Sequence, residues 1–221
     1  HYQALIPAFL TTVISNEIST WIGSKSIDFP KLALDDLTIL LILKLVLAGI
    51  IFGIGGFLFN LALDNSSKLY ERVTKSPYLK ALIGGVITIT LFLIVGDDYN
   101  GLGQTFIRDS FDKPATLMDS IWKIIFTAIA LGSVFQGGRG NPTFFVGAAL
   151  GSAVAKYIRL PLASSAALGM VGVFCGATSL PITSIALALE YFGGDEMVAI
   201  MIVMTISYIV SGFYDLVTKN K

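Results

Sequence analysis

The sequence predicts an all-α integral membrane protein, a bundle of tilted and broken helices, and three observations carry that prediction. Of 221 residues, 54% are hydrophobic and only 14% charged, against about 45–50% and about 25% in soluble domains. Mean hydropathy is +0.78, so too few polar side chains remain to coat a globule in water. Apolar runs fall at 4–22, 39–63, 81–95, 121–135, 143–158, 162–175, 182–192 and 197–210. Finally, half of the 22 glycines sit inside those runs, where a soluble helix would carry few.

The runs at 4–22 and 39–63 are long enough to cross a hydrocarbon core of about 30 Å. A run of about 15 residues reaches only about 22 Å at about 1.5 Å per residue, so most of the others should be tilted, broken or half-spanning. Backbone breaks at membrane depth survive only where protein or a water-filled cavity covers their unpaired groups, as in transporters and channels. A soluble all-α protein with buried core helices is the rival reading. It is disfavoured by the scarcity of charge in the connecting segments. Residues 64–80 carry Lys68, Arg72, Lys75 and Lys80 against two acids, whereas 96–120 carries five aspartates against Arg108 and Lys113. The bias of basic residues towards the cytoplasm predicts a multi-pass protein with 64–80 and the C-terminus cytoplasmic and 96–120 external.

Charge and composition exclude several functions. Lys plus Arg equals Asp plus Glu at 15 each, so no basic field for nucleic acid exists. One cysteine, Cys175, and one histidine, His1, cannot assemble a zinc centre, a disulfide or a Ser-His-Asp hydrolase. No enzyme activity, metal or cofactor is expected. The start, His1-Tyr2-Gln3, lacks an initiator Met and any targeting pattern, and reads as a chain whose N-terminal part has been removed.

The sharpest break is Gln136-Gly137-Gly138-Arg139-Gly140-Asn141-Pro142-Thr143. Glycines let this backbone turn and approach a ligand closely. Pro142 is expected at the first position of a helix running through 144–151, whose positive end and unpaired N–H groups would point into the break. In a membrane that arrangement is an anion site; the plain alternative is a tight surface turn. The pattern recurs at Asn100-Gly101-Leu102-Gly103-Gln104, which opens a short element, and at Thr178-Ser179-Leu180-Pro181. Small residues spaced by four, Gly49 and Gly53, then Gly147 and Gly151, permit close helix contact. Lys44, Lys123 and Glu190 are ionisable residues in apolar runs. The two lysines lie near run starts and are expected to snorkel to the interface, and Glu190 to be paired near a helix end. Cys175 is expected to be an inert packed side chain. Tyr214, in Ser211-Gly212-Phe213-Tyr214-Asp215, could give one neutral hydrogen bond to an anion or sit in an interfacial aromatic belt.

At these residues the chain resembles the C-terminal half of the CLC family of chloride channels and transporters. Gly138-Arg139-Gly140-Asn141-Pro142 stands where that family carries a Gly-x-Phe-x-Pro anion-binding segment, followed by the family-like 144–151. The stretch 49–60 is similar to a long helix of the second repeat, and Leu180-Pro181-Ile182-Thr183-Ser184 through Leu189-Glu190 to the helix at the dimer interface. Tyr214 falls at the central anion-coordinating tyrosine. The resemblance implies a second inverted repeat at 39–221, the end of the first at 1–23, and a homodimer formed through 4–22 and 181–210, each subunit with its own pore in the bilayer. It implies halide transport, chloride first, as a channel or an anion/proton exchanger. The backbone N–H groups of Arg139 and Gly140 and the Tyr214 hydroxyl would face the ion, with Gly138, Asn141 and Pro142 shaping the site. Gly140 replaces the usual Phe and Arg139 an apolar residue. The segments that would supply a gating glutamate are not in the chain, so the N-terminal half of the transport unit is expected elsewhere. Glu190-Tyr191-Phe192-Gly193, Ser211-Gly212-Phe213-Tyr214 and Pro142-Thr143-Phe144-Phe145 look like the fluoride-exporting branch, whereas Arg139-Gly140-Asn141 does not. Fluoride/proton antiport is therefore the alternative, and a non-transporting membrane scaffold is the reading from a different class.

Overall fold

The computed structural model describes residues 5–23, 29–135 and 137–218, with Leu5 and residues 213–218 described by backbone alone. His1, Tyr2, Gln3 and Gln136 lie outside the described residues, as does the Tyr214 side chain. Among the described residues there are nine α-helices and no strand: α1 (Leu5–Trp21), α2 (Ile39–Val73), α3 (Pro77–Val95), α4 (Gln104–Asp112), α5 (Leu117–Gly132), α6 (Gly140–Ile158), α7 (Leu162–Thr178), α8 (Pro181–Phe192) and α9 (Met197–Thr218).

Each apolar run becomes one helix, and α4 is the short element opened by the break at 100–104. Two boundaries differ from expectation. The segment 64–80 is not a loop: α2 continues to Val73 and α3 begins at Pro77. Hydropathy ends with Leu63, but Asn65-Ser66-Ser67-Lys68-Leu69-Tyr70-Glu71-Arg72 holds no Gly or Pro to stop a helix already nucleated. At the other boundary α6 starts at Gly140, so Pro142 is its third residue, not its first. Pro is tolerated throughout a first turn because no intrahelical acceptor waits for its missing N–H.

α2 and α3 are long and apolar enough to span a bilayer. α3 buries only Gly84 and exposes Leu82, Val86, Ile89, Leu93 and Ile94, a face suited to lipid tails. α1 exposes its described side chains throughout. At about 1.5 Å per residue, α4 (9 residues) and α8 (12 residues) reach about 14 and 18 Å, well short of a full crossing.

The core is organised around α7, buried from Ser164 to Ala177. It crosses α6 at Gly147, Gly151 and Gly169, where each missing Cβ leaves room for the other helix's backbone. α2 approaches α9 in the same way through Gly49 and Gly53, which meet Ile206 and Val210. Both small-residue pairs noted in the sequence therefore mark real helix crossings. Hydrogen bonds tie the small surfaces together: Ser165 Oγ donates to the Gly151 carbonyl at 2.6 Å, Ser207 Oγ to Gly172 at 2.7 Å and Asn60 Nδ2 to Ala177 at 2.9 Å. Without a hydrophobic drive between helices in lipid, such close packing and interhelical bonds hold a bundle. Cys175 is buried, its thiol 3.5 Å from the Met204 carbonyl, the inert packed position expected of it.

Candidate functional site

Two of the three breaks meet at one cavity of about 610 Å³. Its lining draws Tyr99, Asn100, Gly101 and Leu102 from the segment before α4, and Gly137, Gly138, Gly140, Asn141 and Pro142 from the start of α6. α5 contributes Lys123, Phe126 and Thr127, and Phe144, Phe174 and Tyr191 complete an aromatic side. The Phe144 ring lies 5.0 Å from Phe174 and 6.3 Å from Tyr191. The third break, at 178–181, turns α7 into α8 through Ser179 at φ +57° and reaches the cavity only indirectly, through Leu187 and Tyr191 further along α8.

The first turn of α6 carries the expected polarity in a shifted register. Arg139 is the N-cap residue and its side chain makes no capping bond. The first backbone N–H taken into the helix is that of Thr143, which donates to the Arg139 carbonyl at 3.2 Å. Pro142 has no N–H, so the donors left outside the ladder at this helix start are those of Arg139, Gly140 and Asn141. Thr143 turns its own hydroxyl back to the Gly140 carbonyl at 2.7 Å. Gly138, Gly140, Asn141 and Pro142 thus come together at the cavity, while Arg139 is exposed beside them. Tyr214 belongs to the backbone of α9, and its hydroxyl falls outside the described residues.

Opposite chemistry holds the segment before α4. Thr116 and Asp119 form a capping box at the start of α5, and the same Asp119 accepts the Tyr99 hydroxyl at 2.6 Å. Burial first, then this hydrogen bond and the charges of Asp119 and Asp98, hold the Tyr99 phenol well above its ordinary range, so it stays a neutral donor. One turn further along α5, Lys123 Nζ donates to the carbonyls of Tyr99 at 2.9 Å and Gly101 at 2.8 Å. The same ammonium lies 4.7 Å from the centroid of Phe145, whose ring stacks on Phe106 at 4.2 Å. Gly103, at φ +66°, closes the segment; a Cβ there would collide with the Phe145 ring.

The three ionisable residues singled out in apolar runs separate here. Lys44 reaches the end of α6, donating to the Arg159 carbonyl at 3.0 Å. Glu190 is exposed in the last turn of α8. Lys123 does not snorkel: it is 2% exposed, because two carbonyls 22 and 24 residues away in sequence replace the water it would otherwise seek. The aromatic side and the Tyr99–Asp119 pair went unread in the sequence. The Thr116-x-x-Asp119 spacing is a capping-box signature for the start of α5, but no local pattern marks Tyr99 as its partner or brings the aromatic rings together.

Known proteins resemble this chain in sequence and, for one solved structure, in shape. Residues 1–212 match the family described as "Voltage gated chloride channel". The "Chloride/fluoride channel protein" of Pseudomonas syringae pv. tomato is 32% identical over 219 residues, 96% of this chain and 48% of that protein. The H(+)/Cl(-) exchange transporter ClcA of Yersinia pestis is 27% identical over 172 residues, 72% of this chain and 36% of ClcA. The crystal structure of a CLC-type fluoride/proton antiporter superposes with a TM-score of 0.89 at 32% identity, covering 96% of this chain and 54% of that one. The chain thus spans between 36% and 54% of the length of these relatives. With nearly its whole length matched by family, sequence and shape, the chain belongs to the voltage-gated chloride channel family.

Proposed function

We propose that this chain forms the second inverted repeat of a halide transport unit and that its anion site is the cavity at the first turn of α6. One observation carries the reading: two helix breaks converge on a single cavity lined by Gly140 and Asn141, whose N–H groups precede the first bond of the α6 ladder, and no acidic side chain lines it among the described residues. Neutral donors and the positive end of a helix stabilise an anion while letting it leave, as conduction requires. Arg139 and the Tyr214 hydroxyl are further candidates to contact the ion, with Gly138, Asn141 and Pro142 shaping its path.

In this reading residues 1–23 are the end of the first repeat and 39–221 the second, with 64–80 and the C-terminus cytoplasmic. The protein is a homodimer through 4–22 and 181–210, a proposal supported by the exposed apolar side chains of α1 and by Ile182, Val198 and Met201. The other half of the unit, in this reading, corresponds to the part of the relatives that the chain does not cover. Chloride is the substrate favoured by the sequence motifs. Fluoride coupled to protons has its own support: the two relatives at 32% identity carry fluoride in their names, while the chloride exchanger stands at 27%.

The test is anion flux by the complete protein in liposomes, comparing chloride with fluoride, with and without a pH gradient. Flux of either halide above empty vesicles supports transport, and their ratio assigns the substrate. No flux of either would leave the scaffold reading in its place.

A further inference from the structure

We propose that Lys123 is a further anion-binding residue of the cavity, its buried ammonium supplying the fixed positive charge that draws a halide in. The inference rests on the reading of this cavity as a halide site and adds to it a charge that the backbone of α6 does not provide. Lys123 is the only side chain with a full charge among the described lining residues, and it is 2% exposed. Two carbonyl oxygens, at 2.8 and 2.9 Å, and the face of Phe145 are the partners of its Nζ. An ammonium has three donors, so one N–H remains for a ligand.

A clamp on the segment before α4 is the competing role, and it fits less well. Asp119 already holds that segment through the Tyr99 hydroxyl at 2.6 Å. A neutral donor could bond the same carbonyls without the cost of burying a charge. Asp119 lies one turn from Lys123 but does not line the cavity, and its oxygens accept from Thr116 and Tyr99. The carbonyls also answer the objection that a buried cation would trap its anion: they offset part of the ammonium's field, leaving attraction without a tight ion pair.

The test uses the complete protein in liposomes, measuring halide flux against concentration for the unaltered protein, Lys123→Met, Lys123→Arg and Asn100→Asp, each checked for a folded elution profile and melting transition. Asn100 lies between the two residues whose carbonyls hold Lys123. It is exposed, and its Oδ1 accepts from Gly101 N at 3.0 Å, a bond an aspartate keeps while bringing a negative charge to the wall. Lys123→Met and Asn100→Asp are expected to raise the half-saturating halide concentration about tenfold or more, and Lys123→Arg to stay within about threefold. If Lys123→Met does not fold, Lys123→Gln replaces it, keeping a donor for the carbonyls without the charge. Unchanged half-saturation in the folded variants, or a loss confined to the maximal rate, overturns the assignment to Lys123. Absence of flux in the unaltered protein instead overturns the transport reading beneath it.

Discussion

Gly151→Ala adds one methyl group at the tightest crossing in the bundle, and its cost can be worked out from the neighbours. The new Cβ would overlap the Ser165 carbonyl oxygen and lie 2.9 Å from its carbon and 3.0 Å from the Ala166 Cα. All of these are backbone atoms, so no side chain can rotate aside and α6 must move away from α7. Overpacking of this kind costs about 1–3 kcal/mol. The separation also stretches the 2.6 Å bond from Ser165 Oγ to the Gly151 carbonyl, and interhelical bonds in membranes contribute about 0.6 and at most about 1.7 kcal/mol. The sum, about 2–4 kcal/mol, is about a 30- to 700-fold change in the unfolding equilibrium at 1.4 kcal/mol per tenfold. Denaturation of the complete protein in detergent measures it, with Gly85→Ala as reference. Gly85 lies in helix α3 with nothing within 4 Å of a new Cβ, and its replacement should change stability by less than about 0.5 kcal/mol in the destabilising direction, since Ala favours helix over Gly. If Gly151→Ala falls within about 0.5 kcal/mol of Gly85→Ala, the claim that backbone contact fixes α6 against α7 is wrong.

Tyr99→Phe removes the 2.6 Å bond to Asp119; a bond to a charged group contributes about 1.5–3 kcal/mol, so amides of 97–103 should exchange with deuterium about tenfold faster or more. Gly103→Ala forces a side chain into a left-handed backbone at φ +66° and against the Phe145 ring, and should lower the melting temperature more than Gly101→Ala, which at φ +62° has open space around it. Lys44→Met loses one bond at the end of α6 and is expected to cost under about 1 kcal/mol and to leave the half-saturating halide concentration unchanged; a shift as large as that for Lys123→Met would mean that the effect of Lys123 is not specific to the cavity.

Hydropathy made the helices legible, because each run of apolar residues buries or meets lipid as a unit. It did not show where helices stop. α2 runs ten residues past Leu63 through a polar stretch that nothing breaks, and the charge bias that marked 64–80 therefore lies largely on a helix. The cavity was half legible. Glycine and proline betrayed the breaks at 100–104 and 137–142, since only those residues make such turns cheaply. That the two breaks face one another was not, because it follows from α4, α5 and α6 packing around Phe145. Lys123 shows the same limit from the other side. Local sequence sees a lysine near the start of an apolar run and sends its ammonium to the interface, whereas its acceptors come from a distant turn whose carbonyls no pattern marks.

An unpaired first turn does not by itself single out α6 for the proposed anion site. α3, α4, α7 and α8 also begin without a side-chain capping bond. What separates α6 is the company its first turn keeps. The chain has 15 acidic residues, five of them between 96 and 120, yet none of the described residues lining the cavity is acidic. Asp98 and Glu190 adjoin lining residues in sequence without joining the lining, and Asp119 is held by its own helix cap and by Tyr99. A carboxylate in the lining would compete with a halide for the Gly140 and Asn141 donors and cancel the charge of Lys123. Keeping aspartate bonded one turn away preserves both. The sign of the cavity therefore depends on where carboxylates are spent as much as on the helix end itself, and introducing one at Asn100 reverses that arrangement with a single atom-for-atom replacement.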